Sequence, residues 1–344
     1  MRKKTQVSLK QIAEATHLSI TTVSRVLRQQ GEISDETRKR VLKVAKELNY
    51  RPNLLIQGIQ TGRTGNVGVM VPPYNPYWAE ILKGIHDELV ENDYAPVALW
   101  DESILAKDNR EEFMLKQMHR LIDRRVDGVI LWPKVSEVYG THLDELESRE
   151  LPVVTIDHEL EFADSVVTNE QLGAELVARH LYSQGHRYIG HLAGDPHWTW
   201  AQQRRTYFEA GLRQYSDASC ITMVGSDDAE KVPGIARMLL SLKPRPTAIF
   251  ACSDWVAYEI YAAAAEMGLK IPDDLSVVGY SDDTSKMSQL IQPSLTTVRQ
   301  KPYQMGQEAA RLLMERVNKI NTTDNRVRIK MDCELTIRNS TRKL

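Results

Sequence analysis

Six tryptophans carry the chain's most informative spacing. Trp78, Trp100, Trp132, Trp198, Trp200 and Trp255 all fall at or just after the C-terminal ends of strand-like apolar runs, and ligands of open parallel sheets bind beyond those ends. An aromatic face stacks on the C–H face of a sugar or on a flat base and gives up little rotamer freedom. Polar groups converge on the same places. Arg204 stands four residues after Trp200 and so shares its helix face. Asp157 ends one strand, Ser253 and Asp254 follow another, and Asp282 follows a third. Arginine and aspartate each bind paired hydroxyls with two bonds. One arginine among several carboxylates repels a strongly anionic ligand, so a neutral sugar or small glycoside is expected; a nucleobase or nucleoside, which stacks equally well, is the second reading.

A second group of residues suits nucleic acid. Ser19 is placed to cap a helix that buries Val23, Val26 and Leu27 and leaves Ile20, Thr21, Thr22, Ser24 and Arg25 outside. Short side chains let a helix sit deep in the major groove, and an arginine bonds guanine O6 and N7 with both arms. The hydroxyls of Ser19, Thr22 and Ser24 suit phosphate oxygens. Catalytic signatures are missing: Gly62, Gly65 and Gly68 precede the first strand instead of joining strand to helix, and neither a nucleophile elbow nor a phosphate-binding P-loop occurs. His158, His191 and His197 lack metal-ligand spacing and read as structural or pocket-lining. No enzyme, cofactor or metal is expected.

The elements that position these groups fall into a small head and a large body. Residues 1–62 hold twelve basic and five acidic side chains, and the remainder holds 32 basic and 41 acidic ones. A basic head on an acidic body points to a polyanion partner for the head alone. Its helices are marked by Ser8 with Gln11 (a capping box), by Ser19, and by Ser34 followed by Asp35 and Glu36; the third carries a stripe of Val41, Ala45 and Leu48. Two helices joined by a tight turn with a supporting third make a helix-turn-helix unit. In the body, strands are expected at 67–71, 95–100, 128–132, 153–157, 188–192, 221–224, 248–251 and 276–280, with helices such as 77–91, 170–183, 199–215 and 255–267 between them. Repeated βαβ units mean parallel sheets covered on both faces. Some 280 residues exceed one such domain, so two lobes are expected. No run approaches a membrane span, the N-terminus carries no apolar leader stretch, and Cys220, Cys252 and Cys333 read as buried thiols, so a cytoplasmic protein is expected.

Specific segments carry a family resemblance. Residues 9–13 (LKQIA), 22–27 (TVSRVL) and 48–53 (LNYRPN) resemble the head of the lactose/galactose repressor family, and the likeness continues through Asn75-Pro76-Tyr77-Trp78, Gly185-His186-Arg187, 276–280, 293–298 and 334–341. The resemblance implies a periplasmic-binding-protein-like body of two lobes, with the chain crossing between them near Phe162, Ile291 and Asn321. It divides the chain into a head at 1–50, a hinge at 51–64 and a body at 65–344, with one lobe at about 65–161 and 291–321 and the other at about 162–290 and 322–341. It makes Arg204 an effector-binding arginine, adds Tyr77 to the cleft and adds Asn53 to the DNA contacts, and it places Ile59 where the family inserts a wedge between base pairs. A homodimer on a near-palindromic operator, controlled by a small effector, follows as the expected function; the missing leucine heptads after Thr341 favour a dimer over a tetramer. A sugar-binding transport protein would explain the body but not the basic head. The sequence departs from the family pattern at His17, where glycine is usual in the turn, at Leu54, Ile56, Gln57 and Gln60 in the hinge, and at Ser253, where asparagine is usual.

Overall fold

The structure, a computed structural model, describes residues 7–27, 31–50, 63–72, 75–99, 110–133, 140–225, 229–282, 286–320 and 325–344. It comprises two compact units, Met1–Thr64 and Gly65–Leu344.

The first unit is built of α1 (Leu9–Thr16), α2 (Ile20–Leu27) and α3 (Asp35–Glu47). Ser8 opens α1: its hydroxyl accepts from the Gln11 amide while Gln11 Oε1 accepts from the Ser8 amide at 2.8 Å, the reciprocal capping expected. α1 ends at His17, which adopts the left-handed conformation at φ 51°, so the turn keeps the glycine-type backbone although the residue carries a Cβ. Ile12, Ala13, Val23, Val26, Val41 and Ala45 close a core between the three helices. Leu48 departs from the expected stripe. It caps α3 at its end, beyond the last full turn, and is 37% exposed.

Among the described residues the second unit holds two six-stranded sheets. The first lobe has strands β1 (Asn66–Met70), β2 (Ala95–Ala98), β3 (Gly128–Leu131), β4 (Val153–Ile156), β5 (Asp164–Thr168) and β11 (Arg328–Met331), in the order β11-β5-β4-β3-β1-β2, all parallel. The second has β6 (Tyr188–Ala193), β7 (Ser219–Val224), β8 (Ala248–Ala251), β9 (Ser276–Ser281), β10 (Thr296–Arg299) and β12 (Glu334–Thr336), in the order β12-β10-β9-β8-β6-β7. Among the described residues of that sheet only the β10–β12 pair is antiparallel. Helices cover the sheets: α4 (Pro76–Glu91), α5 (Arg110–Asp123), α6 (Gly140–Ser148) and α12 (Pro302–Val317) in the first lobe, and α7 (Glu170–Ser183), α8 (Thr199–Arg213), α9 (Val232–Leu240), α10 (Asp254–Glu266) and the short α11 (Met287–Leu290) in the second. α4 and α12 cross at backbone contact. A Cβ on Gly84 would lie 2.0 Å from the Tyr303 carbonyl oxygen, and one on Gly306 would lie 2.2 Å from that of Ile81.

The chain changes lobe later than the resemblance implied. Phe162 lies before β5, which pairs with β4 and β11 of the first sheet, so the first crossing is at Asn169. Ile291 packs in the second lobe's core and β10 stays in the second sheet, which moves the second crossing to Gln300 and Lys301. The third runs through Asp332 and Cys333, between β11 and β12; Asn321 lies outside the described residues. Two hydrogen bonds tie the crossings together, Gln300 Nε2 to Thr168 Oγ1 at 2.9 Å and Asn169 Nδ2 to Asp332 Oδ1 at 2.8 Å. Of the three cysteines, Cys252 and Cys333 are buried and Cys220 is half-buried.

Candidate functional site

In the first unit α2 turns one face inward and one out. Val23 and Val26 are buried, while Ser19, Ile20, Thr21 and Arg25 are exposed and Thr22 and Ser24 half-exposed. Ser19 caps the helix: its hydroxyl accepts from the Thr22 amide at 3.0 Å and shares a hydrogen bond with the Thr22 hydroxyl at 2.8 Å. Those two hydroxyls are therefore partly engaged with each other. Arg25 is exposed on the outer face of α2 and makes no hydrogen bond or ion pair among the described residues. Asn53 and Ile59, with the whole hinge segment 54–60, lie outside the described residues.

In the second unit the expected cleft residues separate into three groups. The first lies between the lobes. Asp157, His158, Glu159, Val167 and Thr168 of the first lobe and Glu170, Thr199, Trp200 and Gln203 of the second enclose a cavity of about 100 Å³. Asp157 sits just after β4 in the left-handed region, φ 54°, which turns its carboxylate back to accept from the Tyr77 hydroxyl at 2.6 Å. Burial raises the Asp157 carboxyl to about 6, with the charge of Glu170 adding to the rise and the bond from Tyr77 and the charge of Arg204 opposing it. Burial also pulls His158 below its usual value; its Nδ1 is hydrogen-bonded to the Thr199 hydroxyl at 3.2 Å across the cleft. Arg204 is almost fully buried at the back. Its Nε and Nη2 donate to the two oxygens of Glu170 at 2.8 and 2.7 Å, and Nη1 donates to the Cys252 carbonyl. Its guanidinium lies 3.4 Å over the Tyr280 ring and 4.8 Å from that of Trp200. Burial alone would lower its pKa, but the carboxylate of Glu170 outweighs that and holds the guanidinium above its ordinary range.

The second group is an aromatic chain. Tyr77 meets Trp78 edge-on at 5.3 Å, Trp78 meets Trp132 at 5.3 Å, and Trp132 stacks on Trp198 at 5.0 Å and 21°. Trp78 and Trp132 are buried in the first lobe's core, so they serve as structural support for the cleft; Trp198, at the start of α8, brings the second lobe onto them. Trp100 lies outside the described residues.

The third group does not reach this cavity. Ser253 is an N-cap, accepting from the Val256 amide at 3.3 Å. Asp254 is 2% exposed and accepts from the Thr297 hydroxyl and the Asp282 amide at 2.5 and 2.8 Å. Asp282 accepts from Arg338 at 2.8 and 3.0 Å, Arg299 at 2.7 Å and Ser288 at 2.6 Å. Burial would raise its pKa, and these three partners outweigh it and hold the carboxyl low. Asp282 lines a separate cavity of about 570 Å³ with Lys286, Arg299 and Lys301. Trp255, on the first turn of α10, is 45% exposed. These four residues were expected to bind effector; the structure places the first three in capping and latching contacts and leaves the fourth exposed on the first turn of α10. Glu170, Thr168, Thr199 and Gln203 were not expected. Thr168 ends a strand and Glu170 and Thr199 start helices, the kind of position that marked the tryptophans, while Gln203 lies one turn into α8.

Residues 8–53 match the model of the bacterial regulatory proteins of the lacI family, and residues 178–341 match the periplasmic binding protein-like domain. The chain is 30% identical to the HTH-type transcriptional repressor PurR of Mannheimia succiniciproducens, over 98% of this chain and 99% of that protein. The chain belongs to the lacI family. It is 32% identical to the ribose operon repressor of Halalkalibacterium halodurans, over 91% of each chain. The lac repressor dimer bound to operator and the anti-inducer ONPF shares its fold, with a TM-score of 0.80 at 23% identity, covering 98% of this chain and 99% of that one. This lacI-family chain is thus a ligand-responsive DNA-binding regulator, and the relatives named are transcriptional repressors, not enzymes.

Proposed function

We propose that the chain is a cytoplasmic, homodimeric repressor that binds a near-palindromic operator through α2, with a neutral sugar or small glycoside between the lobes setting its affinity. The observation that carries the effector class is the charge of the interlobe cavity. Asp157, Glu159 and Glu170 line it, and the nearby guanidinium of Arg204 is already bonded to Glu170. Hydroxyl groups donate to such a wall, whereas a phosphate or carboxylate is repelled by it. The cavity is also smaller than the roughly 300 Å³ at which small-molecule sites begin, so effector entry requires the lobes to part, and this couples binding to lobe angle. The ribose operon repressor among the relatives supports a sugar. A nucleobase or nucleoside is the second reading, supported by the presence of the Trp200 ring in the cavity wall.

Tryptophan fluorescence of the full chain, titrated with a panel of neutral sugars and a panel of purines, tests the effector. A saturable change with a sugar that also shifts affinity for a selected operator is the expected result. Saturation by a purine with no response to any sugar overturns the sugar assignment, and no binding to duplex DNA under any condition overturns the repressor itself.

A further inference from the structure

We infer that Glu170 sets the charge class of the effector by acting as a built-in ligand of Arg204. The inference rests on the interlobe cavity being the effector site. Glu170 is the first residue of α7, immediately after the crossing at Asn169. That crossing is fixed: Asn169 Oδ1 accepts from the Leu172 amide at 3.2 Å while its Nδ2 donates to Asp332. Both carboxylate oxygens of Glu170 face the fork of Arg204 at 2.7 and 2.8 Å, and both side chains are almost wholly buried, at 5% and 6% exposure. The ring of Tyr280 closes one face of the guanidinium. That ring is held close because Gly173 carries no side chain; a Cβ there would lie 2.2 Å from the Tyr280 hydroxyl.

The arrangement penalises an anionic ligand twice. A carboxylate or phosphate reaching for Arg204 must displace Glu170. The freed Glu170 is then left buried and unpaired beside Asp157, whose charge it already opposes. A neutral polyol meets neither penalty. It donates hydroxyls to the unused lone pairs of Asp157 and Glu170 and leaves the pair intact. Arg204 therefore acts through Glu170: the arginine positions a carboxylate, and that carboxylate faces the effector.

Replacing Glu170 should convert the cavity into an anion site. Full-length wild type, Glu170→Ala and the double variant Glu170→Ala with Arg204→Met are titrated with acetate and with glucuronate against chloride at matched ionic strength. Melting temperature and tryptophan fluorescence are the readouts. Glu170→Ala alone is expected to melt lower than wild type, to be raised saturably by acetate, and to bind glucuronate roughly 10–100-fold more tightly than wild type does; the double variant loses that gain. A folded Glu170→Ala that shows no anion-specific response overturns the inference, as does a wild type that binds glucuronate as tightly as the variant. Where Glu170→Ala does not fold, Glu170→Gln, which keeps one acceptor for Arg204, is read on the same panel. A gain in glucuronate affinity over wild type supports the inference there and none overturns it. If Glu170→Ala gains anion binding while no neutral sugar binds wild type, Glu170 keeps its role and the sugar assignment alone falls.

Discussion

At the scale of single residues, Asp157 and Arg25 stand at opposite electrostatic extremes. Asp157 is a half-buried carboxyl on the cavity wall, raised to about 6 chiefly by burial, with Glu170 adding to the rise and Tyr77 and Arg204 pulling against it. A carboxyl whose folded pKa exceeds its unfolded value adds stability below the unfolded pKa, near 4, and loses it as the pH rises through the folded value. The chain should therefore pass from more to less stable, through this group, between pH 4 and 7. Asp157→Asn keeps an acceptor for the Tyr77 hydroxyl and removes the charge. Its stability relative to wild type, read from melting curves, should climb across that window, reaching a gain of about 1–2 kcal/mol at pH 7.5. A gap that stays flat with pH assigns the strain elsewhere. Arg25, by contrast, stands exposed on α2 with no partner among the described residues. Arg25→Ala should cost roughly 1–3 kcal/mol of operator binding and relax preference at one base pair in each half-site. Unchanged preference in a binding-site selection removes it from the reading set.

At the scale of elements, what the sequence made legible is what local pattern controls. The helix at 170–183 and the strand at 248–251 have the bounds that periodicity indicated, and the three head helices start at the serines that cap them. Elements whose identity depends on distant partners stayed hidden. β5 begins with Asp164 and Ser165, polar residues in a buried strand. Asp164 is tolerated there because Arg316, 152 residues on, grips both its oxygens at 2.6 and 2.8 Å. The same holds at the site. Asp157 and Trp200 were legible as strand-end and helix-start groups, but nothing local tells that Arg204 is spent on Glu170, or that Asp282 is latched by Arg338, 56 residues away. The α4–α12 crossing gives an element-scale prediction. Gly306 meets the backbone of Ile81, which has no rotamer to yield. Gly306→Ala should force the helices apart and cost about 1–3 kcal/mol or more, seen as a lower denaturant midpoint, whereas an alanine at Gly234, where a Cβ meets nothing within 4 Å, should be tolerated. Equal effects from the two changes would contradict the close crossing.

At the scale of the whole molecule, the proposed half-site reader needs a second copy, and the second lobe offers a surface for one. Trp255 is 45% exposed, Met287 45% and Leu290 66%. The starts of their helices are tied together: Asp254, next to Trp255, accepts from the Asp282 amide, and Asp282 accepts from Ser288, next to Met287. Exposed apolar side chains gathered in one place mark an interaction surface more often than a solvated one, and a two-fold dimer requires a patch that is complementary to itself. The proposed homodimer would bury it. Leu290→Asp places a charge in the patch without touching the core, since Leu290 is solvent-exposed in the single chain. The variant should keep its melting profile at low concentration, sediment as a monomer where wild type sediments as a dimer, and bind a full operator roughly 10²-fold more weakly, because the second head is no longer held at high effective concentration. Its affinity for an isolated half-site should stay at the wild-type value, which separates lost pairing from a damaged head. A Leu290→Asp chain that still sediments as a dimer would move the interface off α10 and α11.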